Sequence, residues 1–163
     1  MRFTLVDRIL ELQTRQEITA VKNLSLAEEY LADHFPLFPV LPGVLMLEAM
    51  TQTGAWLVRH DEDFAHSVVV LKEARNIKYA DFVEPGFQLV VNAKQIKQDD
   101  KTTTFKAVGA VDGKTHVSAR LTLERYNLAE SKPEDASLDQ RTIHELRKLF
   151  QRLYRPEGKE ELQ

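Results

Sequence analysis

The amino-acid sequence predicts an α+β fold in which one long apolar helix is wrapped by a curved antiparallel sheet. Three observations lead there. The run Val44-Leu45-Met46-Leu47-Glu48-Ala49-Met50, continuing to Leu57, is apolar on most of a helical circumference. Thr102 to Val111 and His116 to Tyr126 flank Asp112-Gly113, a dipeptide favoured in tight type I′ hairpins, and the second segment alternates through Val117, Ala119, Leu121 and Leu123. Only one such helix lies among this strand material, and a single curved sheet covers a helix that is apolar nearly all round.

The elements follow in order. Phe3 to Leu12 reads as a short strand or helical turn, Gln13 to Gln16 as a turn, and Glu17 to Asn23 as a strand. Pro42-Gly43 opens the long helix, because proline is tolerated in a first helical turn; helical character runs to about His60, and Asp61-Glu62-Asp63 closes it. Val68 to Leu71 and Ala74 to Tyr79 are β-rich, Pro85-Gly86 is a turn, and Phe87 to Gln98 is extended. Asp99-Asp100-Lys101 then reverses the chain into the hairpin strands. Ala129 to Asp139 is polar, contains Ser131-Lys132-Pro133 and reads as a linker. Ile143, Leu146, Leu149, Phe150 and Leu153 fall at helical spacing, so the chain divides into a domain over 1–127 and a linker with an amphipathic helix over 128–163.

Composition narrows the function. The 163 residues are 43% hydrophobic, enough for one domain with a substantial core, and the formal net charge of −3 provides no global attraction for nucleic acid or an anionic membrane. Cysteine is absent, which excludes disulfides and thiolate metal sites. No basic-then-apolar leader opens the sequence, and Glu48 and Gln52 interrupt the longest apolar run before it could span a bilayer; a cytoplasmic protein is expected. A Gly-rich phosphate loop and metal-spaced His/Cys clusters are also missing, so neither cofactor nor metal is expected.

The chemistry concentrates in His34-Phe35-Pro36-Leu37-Phe38-Pro39-Val40-Leu41-Pro42-Gly43 and the helix that follows. A proline-stiffened loop carries His34, and Glu48 lies within an otherwise apolar helix, where a carboxylate is expensive unless it has a partner or a task. Imidazole can exchange a proton near neutrality, and a carboxyl group pushed toward protonation by apolar surroundings can act as an acid. Gly43 at the helix start offers a backbone N–H at the positive end of the helix dipole for a carbonyl oxygen gaining charge; such a donor contributes about 2.7–4 kcal/mol of barrier lowering where an enzyme depends on it. Gln52, one turn after Glu48, could orient its carboxyl group.

The motif His34-Phe35-Pro36-x-x-Pro39-x-x-Pro42-Gly43-Val44-Leu45-x-x-Glu48-Ala49-Met50-x-Gln52 resembles the active-site signature of the FabZ-type β-hydroxyacyl-acyl carrier protein dehydratases of fatty-acid synthesis, which have the hot-dog fold. The resemblance covers about residues 3–126. It implies that His34 removes the α-proton of a (3R)-3-hydroxyacyl thioester and that Glu48 helps the hydroxyl leave as water. It also makes the Gly43 N–H the donor to the thioester carbonyl and the Val40 carbonyl the group fixing the histidine tautomer. Glutamate at 48, where FabA has aspartate, favours plain dehydration. His34 of one subunit would face Glu48 of another, giving a homodimer, with trimers of dimers known in the family. An acyl tunnel at that interface would use Leu37, Phe38, Leu41 and Phe82.

Several positions depart from the family pattern. Asp33 and Leu37 stand where glycine is common, and Leu37 is expected to strain the backbone and crowd the thioester. The usual basic pair is replaced by Ala80-Asp81, so docking of an acidic carrier protein would fall to Arg75, Lys78, Lys94 and Lys97. Two other functions fit a hot-dog chain: hydrolysis of an acyl thioester by the helix carboxylate and water, or acyl binding without catalysis.

Overall fold

In a computed structural model, which describes residues 4–156, the strands are β1 (Arg8–Gln13), β2 (Glu17–Asn23), β3 (Val68–Tyr79), β4 (Gln88–Gln98), β5 (Thr102–Val111) and β6 (Lys114–Tyr126), with helices α1 (Gly43–Asp61) and α2 (Ala136–Leu153). The six strands form one antiparallel sheet in the order β1-β2-β4-β5-β6-β3. Alternation assigns its faces. Leu89, Val91 and Ala93 of β4, Phe105 and Ala107 of β5, and Val117 and Leu121 of β6 are almost wholly buried and point to one side. Helix α1 lies on that side, with Met46, Ala49, Met50 and the unbroken run Thr53 to Val58 buried and with contacts to β2, β3, β4, β5 and β6. This is the wrapped helix that the apolar pattern predicts.

The local details have separable causes. Asp112 and Gly113 both take positive φ, 48° and 80°, as a type I′ turn requires. The opening strand begins at Arg8, later than the expected start; of the predicted segment, Phe3 lies outside the described residues. The two β-rich stretches around residue 72 are one strand, β3, because shifts in its pairing with β6 between Leu71 and Glu73 and between Arg75 and Lys78 absorb the residues that break the alternation. Helix α1 ends one residue after the expected point. Asp63 and Phe64 adopt positive φ there and return hydrogen bonds to the carbonyls of His60 and Arg59. Buried Arg125 of β6 then clasps the helix end, 2.6 Å from Glu62 Oε1 and donating to Thr103 Oγ1 at 3.1 Å.

The polar stretch after Asn127 is not extended chain. Leu128–Glu130 and Pro133–Asp135 form 3₁₀ turns, and Asp139 in the first turn of α2 is buried and accepts from the Leu128 N–H (3.0 Å), the Ala129 N–H (2.9 Å) and the Ser67 hydroxyl. The sequence places this residue in a polar linker because a buried, hydrogen-bonded carboxylate and an exposed one look alike in one dimension. The apolar stripe of α2 packs on the C-terminal half of α1. Phe150 meets the rings of Trp56, His60, Phe64 and Tyr154 at 5.5–5.9 Å between centroids. Arg147 adds a bond to Asp63 Oδ1 (2.8 Å) and lies over Phe64. Among the described residues no helix is long and apolar enough to cross a membrane.

Two expectations about α2 follow. Phe150→Ala should destabilise the protein by about 3 kcal/mol and redshift the emission of Trp56, the only tryptophan; an unchanged melting temperature and spectrum would refute the packing role. Acid should also loosen this helix. Burial works against ionisation of Asp139, yet its hydrogen bonds outweigh that and hold its carboxyl below the ordinary value; the Arg147 bond does the same for Asp63. Groups depressed on folding contribute stability that is complete above the unfolded carboxylate value of about 3.9 and fades as pH falls through the lower folded value. Asp61 acts in the opposite direction, because burial raises it. Trp56 emission should therefore be flat from neutrality to about pH 5 and shift below about pH 4. Asp139→Asn should flatten that acid transition.

Candidate active site

Prolines 36, 39 and 42 restrict the loop ahead of α1, and reciprocal hydrogen bonds close it. The Phe35 and Phe38 N–H groups each donate to the other's carbonyl, at 3.2 and 3.0 Å, and the Val40 N–H donates to the His34 carbonyl at 3.0 Å. His34 Nδ1 lies 3.0 Å from the Val40 carbonyl. A carbonyl oxygen only accepts, so the ring proton sits on Nδ1 and Nε2 presents its lone pair outward. The His34–Phe35 peptide is cis, and the two rings stack with centroids 4.3 Å apart.

The loop delivers the chain to Gly43, the first residue of α1, whose N–H has no acceptor among the described residues. A Cβ here would come within 3.0–3.3 Å of the Tyr79 ring, so any larger residue would push that half-exposed ring back by a few tenths of an ångström. His34, Gly43, Leu41, Met46, Tyr79 and Phe82 are among the residues lining a cavity of about 330 Å³. Leu41 is buried and Phe82 more than half exposed. Phe38 sets its edge against Phe82 at 5.8 Å without lining this cavity, and Leu37 is fully exposed. The backbone strain expected at Leu37 is absent, and Asp33 is unstrained as well. Asp33 has φ −100° as the C-cap of the 3₁₀ turn Glu29–Ala32, and Leu37 is not among the residues with positive φ. A side chain directed to solvent costs that loop nothing.

Glu48 is half-buried and lies elsewhere. Gln52 Nε2 donates to Glu48 Oε1 at 2.9 Å, while Gln52 Oε1 accepts the Leu5 N–H at 2.9 Å. That second bond fixes which end of the amide faces the carboxyl group. Glu48 and Gln52 line a second cavity, about 470 Å³, whose apolar part includes Trp56, Val69, Leu71, Leu146 and Leu149. Five residues separate Gly43 from Glu48, a rotation of about 140° around the helix. His34 and Glu48 therefore open onto different cavities of the same chain.

The basic candidates sit on two strands that are not neighbours. Arg75 and Lys78 are on β3, and Lys94 and Lys97 on β4, about 14 Å away across three strand spacings. Arg75 pairs with Glu73 at 2.8 Å, and Lys97 lies in the field of Asp99. Register joins the two sides: Lys94 stands opposite Lys106, Lys106 opposite Arg120, and Arg120 opposite Arg75, all exposed. Lys106 and Arg120 escape sequence reasoning because only strand pairing puts them in this row. Tyr79 and the α2 leucines escape it for the same reason, since each reaches its cavity from a distant part of the chain.

A family model described as the FabA-like domain matches residues 1–120. The 3-hydroxyacyl-[acyl-carrier-protein] dehydratase FabZ of Lactococcus lactis subsp. lactis is 39% identical over 120 residues, covering 74% of this chain and 83% of that one. The corresponding protein of Streptococcus agalactiae serotype V is 40% identical over 118 residues, with 72% and 84% covered. Among solved structures, the dehydratase heterocomplex ApeI:P from Xenorhabdus doucetiae superposes with TM-score 0.64 at 18% identity, covering 82% of this chain and 90% of that one. The variant thioesterase PA1618 from Pseudomonas aeruginosa gives 0.58 at 19%, with 72% and 79% covered. These structural likenesses concern the fold, which is the hot-dog fold; with the sequence matches they show that the chain belongs to the FabA-like hot-dog family, among relatives of the FabZ dehydratases.

Proposed function

We propose that this protein dehydrates (3R)-3-hydroxyacyl thioesters carried on acyl carrier protein to the trans-2-enoyl thioesters, as a cytoplasmic enzyme of fatty-acid biosynthesis. The observation that carries the reading is the pinned tautomer of His34 beside a Gly43 N–H that has no acceptor among the described residues. The thioester carbonyl accepts from Gly43 and gains negative charge as His34 Nε2 removes the α-proton. Glu48, held by Gln52, gives its proton to the 3-hydroxyl; the C–O bond breaks, water leaves, and the new double bond forms between the α- and β-carbons. Proton transfer from His34 to Glu48, directly or through water, resets the pair.

Two copies of the chain complete this site, with His34 of one protomer facing Glu48 of its partner. Three features support that. The two residues open onto separate cavities in one chain; β3 is an edge strand with unpaired backbone groups; and Phe35, Leu37, Phe38, Val44, Tyr79 and Phe82 are large apolar side chains left partly or wholly exposed. Leu37 and Phe38, which line neither the His34 cavity nor the Glu48 cavity, gain a role if the partner covers them as part of the acyl tunnel. The carrier protein, an acidic partner, would dock on the basic row from Lys94 to Arg75 with Lys78 and Lys97 beside it. Like charges directly opposite on paired strands are unfavourable, and an anionic surface relieves that cost.

His34→Ala and Glu48→Gln should each lower kcat/KM for dehydration by roughly a hundredfold to ten-thousandfold, read as enoyl thioester formed; full activity in both variants, or release of free thiol without enoyl product, would overturn the proposal. Mixing the two inactive variants tests the shared site. A heterodimer holds one site with both groups intact, so random reassociation should restore about a quarter of wild-type activity by symmetry. Failure of dissociated and reassociated mixtures to recover any turnover would place both groups in one subunit's site.

A further inference from the structure

We infer that helix α2, through Leu146 and Leu149, forms the far wall of the acyl-binding cavity that begins at Glu48, and so sets the longest acyl chain the enzyme accepts. This rests on the dehydratase reading for the identity of the occupant. The wall itself is built by residues that the family match, ending at residue 120, does not include.

The cavity is graded along one face of α1. Glu48, Gln52, Ala55, Trp56 and Arg59 recur at helical spacing, and all five line it. At 1.5 Å per residue they span about 16 Å of the helix axis from Glu48 to Arg59. The end nearest Glu48 is polar, with Gln52, Thr4 and Thr51. Beyond it the lining becomes Ala55, Trp56, Val69, Leu71 and the two α2 leucines, and Arg59, lying over the Trp56 ring at 5.2 Å, marks where the apolar stretch stops. A 3-hydroxyacyl group has the same order: a polar head that must meet the acid, then a saturated tail. A volume of about 470 Å³ holds a tail of limited length.

The wall is fixed in place. Asp139 ties the first turn of α2 to Ser67 and the 3₁₀ turn, Arg147 bonds Asp63, Phe150 is inserted among four aromatic rings, and buried Leu153 leads to a parallel bridge between Tyr154 and Ile9. Leu146 and Leu149 lie between these anchors and cannot swing aside without breaking one of them. Their side chains, rather than a moving lid, define the end of the space.

The experiment compares kcat/KM over a short-to-long series of saturated 3-hydroxyacyl carrier-protein substrates in the wild type, the Leu146→Ala/Leu149→Ala double variant, Leu149→Trp, and Leu138→Ala on the exposed side of α2. Opening the wall should raise the ratio of long-chain to short-chain kcat/KM by about tenfold for each two carbons newly accommodated; Leu149→Trp should lower that ratio, and Leu138→Ala should leave it unchanged. A binding readout separates this inference from the dehydratase reading. Trp56 lines the cavity, so its fluorescence reports affinity for saturated acyl pantetheine thioethers whether or not the protein turns substrate over. If no substrate is dehydrated but the double variant binds longer thioethers than the wild type, the reaction assigned above fails and the wall stands. Parallel length profiles in all variants, or a uniform loss at every length with a correctly docked helix, would overturn the wall.

Discussion

The whole arrangement depends on burying α1. A helix that is apolar around most of its surface needs cover on most sides, and the six strands provide it by curving around the helix. Among the described residues the cover is looser at the first turn, where the proline loop arrives, and along the face carrying Glu48 and Gln52. Both candidate cavities lie there. Both are lined in part by the edge strand β3, through Tyr79 at the first turn and through Val69 and Leu71 beside Glu48, and elsewhere the helix is sealed against β4, β5 and β6.

The two cavities are organised by different devices. At the helix start, order comes from the backbone: reciprocal loop hydrogen bonds hold His34 against the Val40 carbonyl, and the missing Cβ of Gly43 leaves room for Tyr79. On the helix face, order comes from a side-chain relay, in which the Leu5 N–H orients Gln52 and Gln52 orients Glu48. In the proposed dimer each cavity would supply what the other lacks. The separation of the two cavities within one chain is then a consequence of helical geometry, since Gly43, beside His34, and Glu48 are five residues apart on α1 and cannot share a face.

Helix α2 adds a layer beyond the matched family domain. It is attached by polar contacts at its start and by aromatic packing along its length, so its position is set by several independent anchors. Its leucines line a space whose other described walls are α1, β3 and Thr4. The hydrogen bonding of Asp139 explains how a polar stretch can hold a fixed turn: a carboxylate that accepts three hydrogen bonds tolerates burial that composition alone would not suggest.

Local rules made much of this visible in the sequence. Periodicity defined α1 and the β5–β6 hairpin, Asp112-Gly113 located their turn, and the loop motif singled out His34, Gly43, Glu48 and Gln52, because these signals act over neighbouring residues. Other features depended on contacts distant in sequence. Pairing of β3 with β6 fused two predicted pieces into one bulged strand, register aligned Lys94, Lys106, Arg120 and Arg75, and folding brought Tyr79 to Gly43 and Leu146 to the cavity of Glu48. Spacing along a chain determines which face of its own element a residue occupies; what lies opposite that face is decided only when the elements pack.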